Sequence, residues 1–481
     1  MDQERKEEII KLYGEPFMQT KSGGVKLNKL CLSELFNASV VIRYIKPVGF
    51  FEEYLPTTKV WHKLDNDDDD INHRIMTMII AIVPEQIRML VYPLLAPAVL
   101  SDIATLFRYK VGVDTLPLPP FPFIHLRDCL LVFDNTTKVF QSVQFSPDYN
   151  SRNMINRIYN PTAKCPRFLN ELVLPMLKNK GDLLLIQLYF GQCLLHKNLS
   201  QTFLIISGPA EIGKSALTNI IEKILGAENV TELHPERLSS PFELAEYAAK
   251  SLLTAKDVDN DALSANKINN LKKMTGNDLL AAEQKNKNIR LYMRGEFNII
   301  ITGNGDLALQ LGNSRDAFKR RMIWIDCKKP ENFRRISGFD DLLIEEEGDG
   351  ILAWAIEGAH KLLAAGGIIT KGEEQDRALE YLLGESEPIE TFIKKCVSYA
   401  PDKSILTRDV VPAFLKFVNY VGWNNHAVIN MSAKKIERDF CQAMLRLYPD
   451  CRHSTDIKVP GKTKMLRGYT HCTIDLPKDA D

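Results

Sequence analysis

Short, mainly apolar runs alternate with longer stretches of helical period through the middle of this chain. FLIIS (203–207), LLTA (252–255) and FNIIIT (297–302) are mainly apolar and carry no charge on either face, as expected of strands buried on both sides of a parallel sheet. ALTNIIEKIL (216–225) spaces its apolar residues as an amphipathic helix does. FLNELVLPMLKNKGDLLLIQLYFGQCLL, within 167–197, is also helical, with gaps at Pro175 and Lys180-Gly181. A further amphipathic helix is predicted within 340–366, closed by a glycine pair. Upstream, ASVVIRYI predicts short strands, and residues 124–145 alternate around an Asn-Thr-Thr turn, the pattern of a hairpin. LPLPPFPF (116–123) cannot be regular helix, because proline removes donors and fixes φ. The last hundred residues alternate helices and end in a basic hairpin, KVPGKTKMLRGYTHCTID. No internal repeat is present.

Composition narrows the class. A chain of 481 residues exceeds one compact core and suits two to four domains. Its formal net charge of zero means that any nucleic-acid surface must be a local patch. Nine cysteines, scattered from Cys31 to Cys472 without a CxxC pair or zinc spacing, read as reduced thiols of a cytoplasmic protein. MDQERKEEII is charged where a signal peptide needs an apolar run. The most apolar stretch, Ile75 to Phe107, is interrupted by Pro84, Glu85, Arg88, Pro93, Pro97 and Asp102, which predicts buried helices rather than a membrane span. The acidic run Asp65–Asp70 reads as a solvated loop, because it lacks ordered ligand spacing.

The chemistry concentrates after the first strand. Gly208, Pro209, Ala210, Glu211, Ile212, Gly213, Lys214, Ser215 and Ala216 spell a complete phosphate loop, GxxxxGK[ST]. Its glycines let backbone N–H groups curl around phosphate oxygens, and the following helix points its positive end at the same anion. Lys214 is expected to reach the β- and γ-phosphates of ATP, and Ser215 to hold Mg²⁺. An ATPase also needs a carboxylate on a neighbouring strand. Asp257 and Asp259 stand at the end of LLTA, and on an extended chain i and i+2 point the same way. Either could hold the metal while the other activates water. Asn304, ending FNIIITGN, is a candidate to orient that water. Arg320 and Arg321 precede another strand, MIWID, where an arginine can serve as a finger on a neighbouring subunit's nucleotide. Lys272 and Lys273, with Lys285, Lys287, Arg290 and Arg294 around Tyr292, form a basic, aromatic segment suited to tracking single-stranded DNA.

This order of parts resembles the superfamily 3 helicases, an AAA+ branch, and in particular the helicase part of phage, plasmid and poxvirus primase–helicases. Lys273, Thr275, Gly276 and Asp278 match that family's lysine–x–threonine–glycine–x–aspartate stretch. YNPTAKCPRF (159–168) and IHLRDCLLVFDNTTKVF (124–140) look like parts of its helicase-associated region. The chain departs from the family at Ile212, where asparagine is common, at Asp257, often glutamate, and at Leu307, often proline. The resemblance implies an α/β fold: an AAA+ P-loop ATPase core with a parallel sheet, preceded by a mostly helical helicase-associated domain and followed by a winged-helix-like domain. The boundaries read as 1–150 accessory domain, 151–200 helical collar, 201–335 core, 336–380 helical linker and 381–481 C-terminal domain.

The expected function is an ATP-dependent DNA helicase. Its expected partners are single-stranded and forked DNA and further copies of itself, as a homo-oligomer of hexameric form, with a primase or initiator partner possible. No membrane role is expected. The place of action would be the cytoplasm of a bacterial host or a viral replication compartment. The ring follows physically if an arginine acts in trans, because a finger needs a neighbour. Two alternatives remain open at this level: a nucleotide-switched DNA-binding initiator or loader with little turnover, and an AAA+ motor acting on protein or packaging DNA.

Overall fold

The computed structural model describes residues 3–64, 67–238, 240–248, 250–258, 265–283, 290–304, 315–331, 335–423, 426–458 and 465–477. At its centre lies a five-stranded parallel sheet in the order Val230–Glu232, Leu252–Val258, Asn298–Asn304, Phe203–Gly208, Met322–Asp326. The apolar runs form these strands because both faces of the sheet are covered. Along Phe203–Ile206 successive side chains point to opposite faces. Leu204 and Ile206 join a cluster with the helix Lys214–Leu225, whereas Phe203 and Ile205 pack with Leu271, Met274 and Phe318 on the other side. Ile299–Ile301 and Met322–Ile325 divide between the same two clusters.

Two long elements back the first face. The helix Asp182–Leu194 crosses Phe339–Ala364, and a Cβ on Gly191 would lie 2.0 Å from the Ala359 nitrogen. Backbone contact this close admits only glycine. The turn after Ala364 ends as the sequence predicts, with Gly366 and Gly367 at φ 70° and 80°. Ahead of the helix Asp182–Leu194, Phe168–Val173 forms a π-helix, a rare geometry that replaces the regular helix expected there. The Glu347 carboxylate accepts its leading N–H groups, from Arg167 at 2.9 Å and Phe168 at 2.8 Å.

The outer strand Met322–Asp326 is covered rather than left open for pairing. The Gln375 side-chain amide bonds both backbone groups of Trp324, accepting from its N–H at 3.2 Å. Lys178 N–H donates to the Asp326 carbonyl at 3.1 Å, and Lys328 N–H to that of Met176 at 2.8 Å.

Up to residue 113 the chain mixes helices with small sheets built around Phe36, Phe51 and Phe107, while Ile124 and Leu131 of the sheet that follows pack into the main core. The acidic run does not form the expected loop. Asp67–Asp70 begin the helix Asp67–Ile82 instead, and Asp65 lies outside the described residues. Ile42–Ile45 is a strand, and Leu130–Asp134 with Val139–Val143 forms the expected hairpin. A buried Arg43–Glu52–Arg152 group (2.8 and 2.6 Å) ties this region to the chain leading into the core.

The C-terminal unit has its own core of Phe392, Phe414, Phe417 and Phe440. Its elements run helix Pro388–Cys396, strand Val397–Leu406, helices Thr407–Val421, His426–Ile429 and Ala433–Leu447, then strands His453–Ile457 and Leu466–Ile474. The last strand lies between the other two. Among the described residues, no single helix is long and apolar enough to cross a membrane.

Candidate nucleotide-binding site

The loop after Phe203–Gly208 turns into the helix Lys214–Leu225 through Gly213, at φ 105°. That conformation strains any residue with a Cβ, and a Cβ here would also come within 2.7 Å of Leu172 Cδ1. Ile212 points inward and joins the core, 2% exposed, so its apolar side chain anchors the loop.

Lys214 is 3% exposed. Its Nζ donates to the carbonyls of Gly208 (2.9 Å) and Pro209 (2.5 Å) and to Asn304 Oδ1 (3.0 Å). Asn304 Nδ2 in turn donates to Asp257 Oδ1 (3.3 Å). The sheet order makes this relay possible, because the Asn304 strand lies between the strand that leads into the Lys214 loop and the Asp257 strand. Burial pulls the Lys214 ammonium below its ordinary value, and the Asp257 carboxylate is among the groups that oppose this.

Asp257 reaches the relay from a bulge. The pairing of Leu252–Val258 shifts register between Ala255 and Val258, and Asp257 has φ 50°. The bulge interrupts regular alternation over 255–258, and a bulge re-aims the side chains beside it. Lys256 turns toward the phosphate-loop helix, bonding Asn219 and Glu222 at 2.7 Å each. The Asp257 N–H is held by Thr302 Oγ1 at 3.1 Å. Asp259 lies outside the described residues.

These groups line a cleft of about 970 Å³, which also contains Ser215 at the helix start. Hydroxyl and carboxylate oxygens are the donors a hard cation such as Mg²⁺ takes, so Ser215 and Asp257 fit that ion. The cleft has two further parts that sequence reasoning missed. Leu172, Leu174, Pro175, Ile336 and Phe339 give it an apolar flank, and Lys178, Lys328 and Arg335 add cations. Arg335 pairs with Glu211 at 3.1 Å, both well exposed. The apolar flank comes from separate segments, one preceding the loop and one following the last strand, and no local motif marks either.

Arg320 and Arg321 do not join this cluster. They end the helix Arg315–Arg321, directly before Met322, which pairs in register with Phe203 at the start of the loop strand. The phosphate loop leaves the other end, about 16 Å away for five residues of strand. Arg320 is exposed, and Arg321 is half-buried beside Gly276; burial and the neighbouring Arg320 charge pull its guanidinium below its ordinary value, against the Asp278 carboxylate.

The basic segment roots at that same end. Leu279–Glu283 pairs with Arg290–Arg294 as an antiparallel hairpin, with Tyr292 opposite Ala281 and 57% exposed. Lys273 is exposed, and Lys272 donates to Asn269 Oδ1 at 3.2 Å. Arg294 bonds the Asn277 carbonyl at 3.2 Å. Arg290 lies on the second strand, and Lys285 and Lys287 fall outside the described residues. The stretch Met274–Asp278 acts as the hairpin's root: Thr275, fully buried, bonds Leu271, and Gly295 exchanges backbone bonds with Asn277 and Asp278 at 2.9 and 2.8 Å.

A profile described as a family of unknown function, DUF5906, matches residues 206–321. This span runs from the loop strand to the two arginines. The apo structure of the NrS-1 C terminal region (305–718) is similar over 92% of this chain and 99% of that one, with TM-score 0.53 and 13% identity. Two A form apo structures of the same region give TM-score 0.51 at the same identity and coverage. At this identity the likeness shows the fold alone. No curated protein matches the chain.

Proposed function

We propose that this chain is an ATP-hydrolysing DNA motor of the superfamily 3 helicase type, assembled as a ring. The observation that carries the reading is the Lys214–Asn304–Asp257 relay inside a cleft whose floor is the phosphate loop. Bound Mg·ATP supplies phosphoryl transfer to water, a reaction governed by positioning and electrostatics. Lys214 is poised to exchange its loop carbonyls for phosphate oxygens. Ser215 and Asp257 would hold the ion, and Asn304 keeps the cation and carboxylate in register. The apolar flank suits a base, because a nucleotide buries its ring against apolar walls.

The opposite end of the sheet supports the ring. Arg320 and Arg321 are too far from their own cleft to serve it, so an arginine acting there must act on a neighbour. The basic hairpin beside them is the element we assign to a single DNA strand. The helix–strand–helix–helix–helix–strand–strand order of the C-terminal unit is consistent with a winged helix.

The test is steady-state ATP hydrolysis with and without single-stranded DNA, beside Lys214→Ala. Turnover that rises with DNA and vanishes in the variant supports the motor. Tight binding without turnover would replace it with a nucleotide-switched initiator. Turnover indifferent to DNA would point to a protein substrate.

A further inference from the structure

The arginine helix is held by a second lysine, one that the relay does not use. Lys371 Nζ donates to three main-chain carbonyls, those of Lys319 (2.5 Å), Arg320 (3.1 Å) and Met322 (3.1 Å). These carbonyls straddle the joint where the helix Arg315–Arg321 gives way to the strand Met322–Asp326. The last carbonyls of a helix lack intrahelical partners, and a cation there also meets the negative end of the dipole. An ammonium offers three donors from one point, which matches three carbonyls converging on it.

Lys371 does not stand alone. On the helix after it, Glu380 pairs with Lys319 at 2.9 Å. Gln375 bonds both backbone groups of Trp324 and also Asp182 Oδ1 at 3.0 Å. The segment 371–380 therefore braces the arginine helix and the edge strand together, from outside the sheet.

We propose that Lys371 is a positioning residue for Arg320 and Arg321, setting the angle at which they meet the nucleotide of a neighbouring subunit. This rests on the motor reading above. Because the brace lies at the far end of the sheet from the chain's own cleft, it acts on the neighbour's turnover and leaves the chain's own ATP affinity alone.

The experiment compares Lys371→Met, Lys371→Gln and Lys371→Arg with Arg320→Ala, Arg321→Ala and Lys214→Ala, in the full chain, with thermal melts as a control for folding. For Lys371→Met we expect kcat to fall about 10-fold or more with KM for ATP within about twofold, and Lys371→Arg to recover part of the loss. The deciding arm mixes Lys371→Met with Lys214→Ala. Lys214→Ala subunits hydrolyse nothing themselves but lend intact arginine helices, so mixing should restore turnover at the Lys371→Met subunits' cleft. If mixing restores nothing while Arg320→Ala or Arg321→Ala is rescued by the same partner, the damage is internal and the proposal fails. Wild-type kcat in both Lys371→Met and Lys371→Gln overturns it as well. A wild-type chain without turnover, or arginine variants without effect, would instead bring down the motor reading and this inference with it.

Discussion

Two lysines, one at each end of the same sheet, do opposite jobs with the same group. Lys214 and Lys371 both set an ammonium against main-chain carbonyls. Around Lys214 the carbonyls belong to a loop that can present N–H groups to an anion, and a carboxylate and an amide stand within reach. Around Lys371 they belong to the end of a helix and the strand it enters, and its three bonds all go to the main chain. On the proposed reading, the first ammonium changes partners when a phosphate arrives. The second is saturated by the fold and works as a fixed pin. A cation seated on the main chain is therefore not by itself a catalytic mark; its partners must also be exchangeable.

The comparison is open to attack at both ends. The largest effect is expected from Lys214→Ala, which should reduce ATP turnover to background, beyond about 1000-fold, while circular dichroism shows the fold retained. Measurable DNA-stimulated turnover in that variant would end the assignment of the cleft.

Next come Arg320→Ala and Arg321→Ala. One of the two should lower kcat about 1000-fold, within the range an arginine finger supplies, with nucleotide binding unchanged by fluorescence titration. Should both variants bind ATP more weakly in step with their lost turnover, the division of labour between the two ends would be wrong.

Asp257→Asn keeps the shape of the relay but removes its charge. We expect about a 100-fold loss in kcat, together with a higher Mg²⁺ requirement in a metal titration. A loss that extra Mg²⁺ fully repairs would assign Asp257 to the ion alone and leave water activation to another group.

The smallest effect lies away from both lysines. His125, bonded to Ser151 at 2.7 Å, and His196, bonded to Ser251, take no part in the cleft, and burial pulls their rings down to about 4 and about 3. Below pH about 6.5 the unfolded chain takes up protons that these rings refuse in the fold, so stability falls as pH drops toward 4. At pH 5 the His125 contribution is about 2 kcal/mol. Chemical denaturation of His125→Gln should show a flatter acid limb than the wild type, and a parallel limb would remove His125 from the account.

Legibility in the sequence differs by residue. The loop 208–216, its strand and its helix are readable because glycine spacing and apolar runs are local properties. The hairpin at 279–294 and the C-cap at Gly366-Gly367 are readable for the same reason. The acidic helix start at Asp67 reads as loop when charge density is weighed above its position before an apolar helical run. The π-helix reads as ordinary helix, since a π-helix and an α-helix share their composition and differ in bonds that Glu347, almost 180 residues away, completes.

Local order thus determined which residues form the phosphate-loop motif: such a loop is one continuous turn, and its requirements are met by neighbours in the chain. Only the tertiary structure decided which distant residues complete it and which stand apart. Asn304 comes between Lys214 and Asp257 because its strand is inserted between the Asp257 strand and the one that leads into the Lys214 loop. A bulge, not alternation, aims Asp257, since strand register is set by the partner strand. Arg320 and Arg321 are turned away because the segments entering and leaving a parallel sheet lie at opposite ends of it. Lys371 has no motif at all, because its three partners are backbone carbonyls, which every sequence has and only a fold brings together.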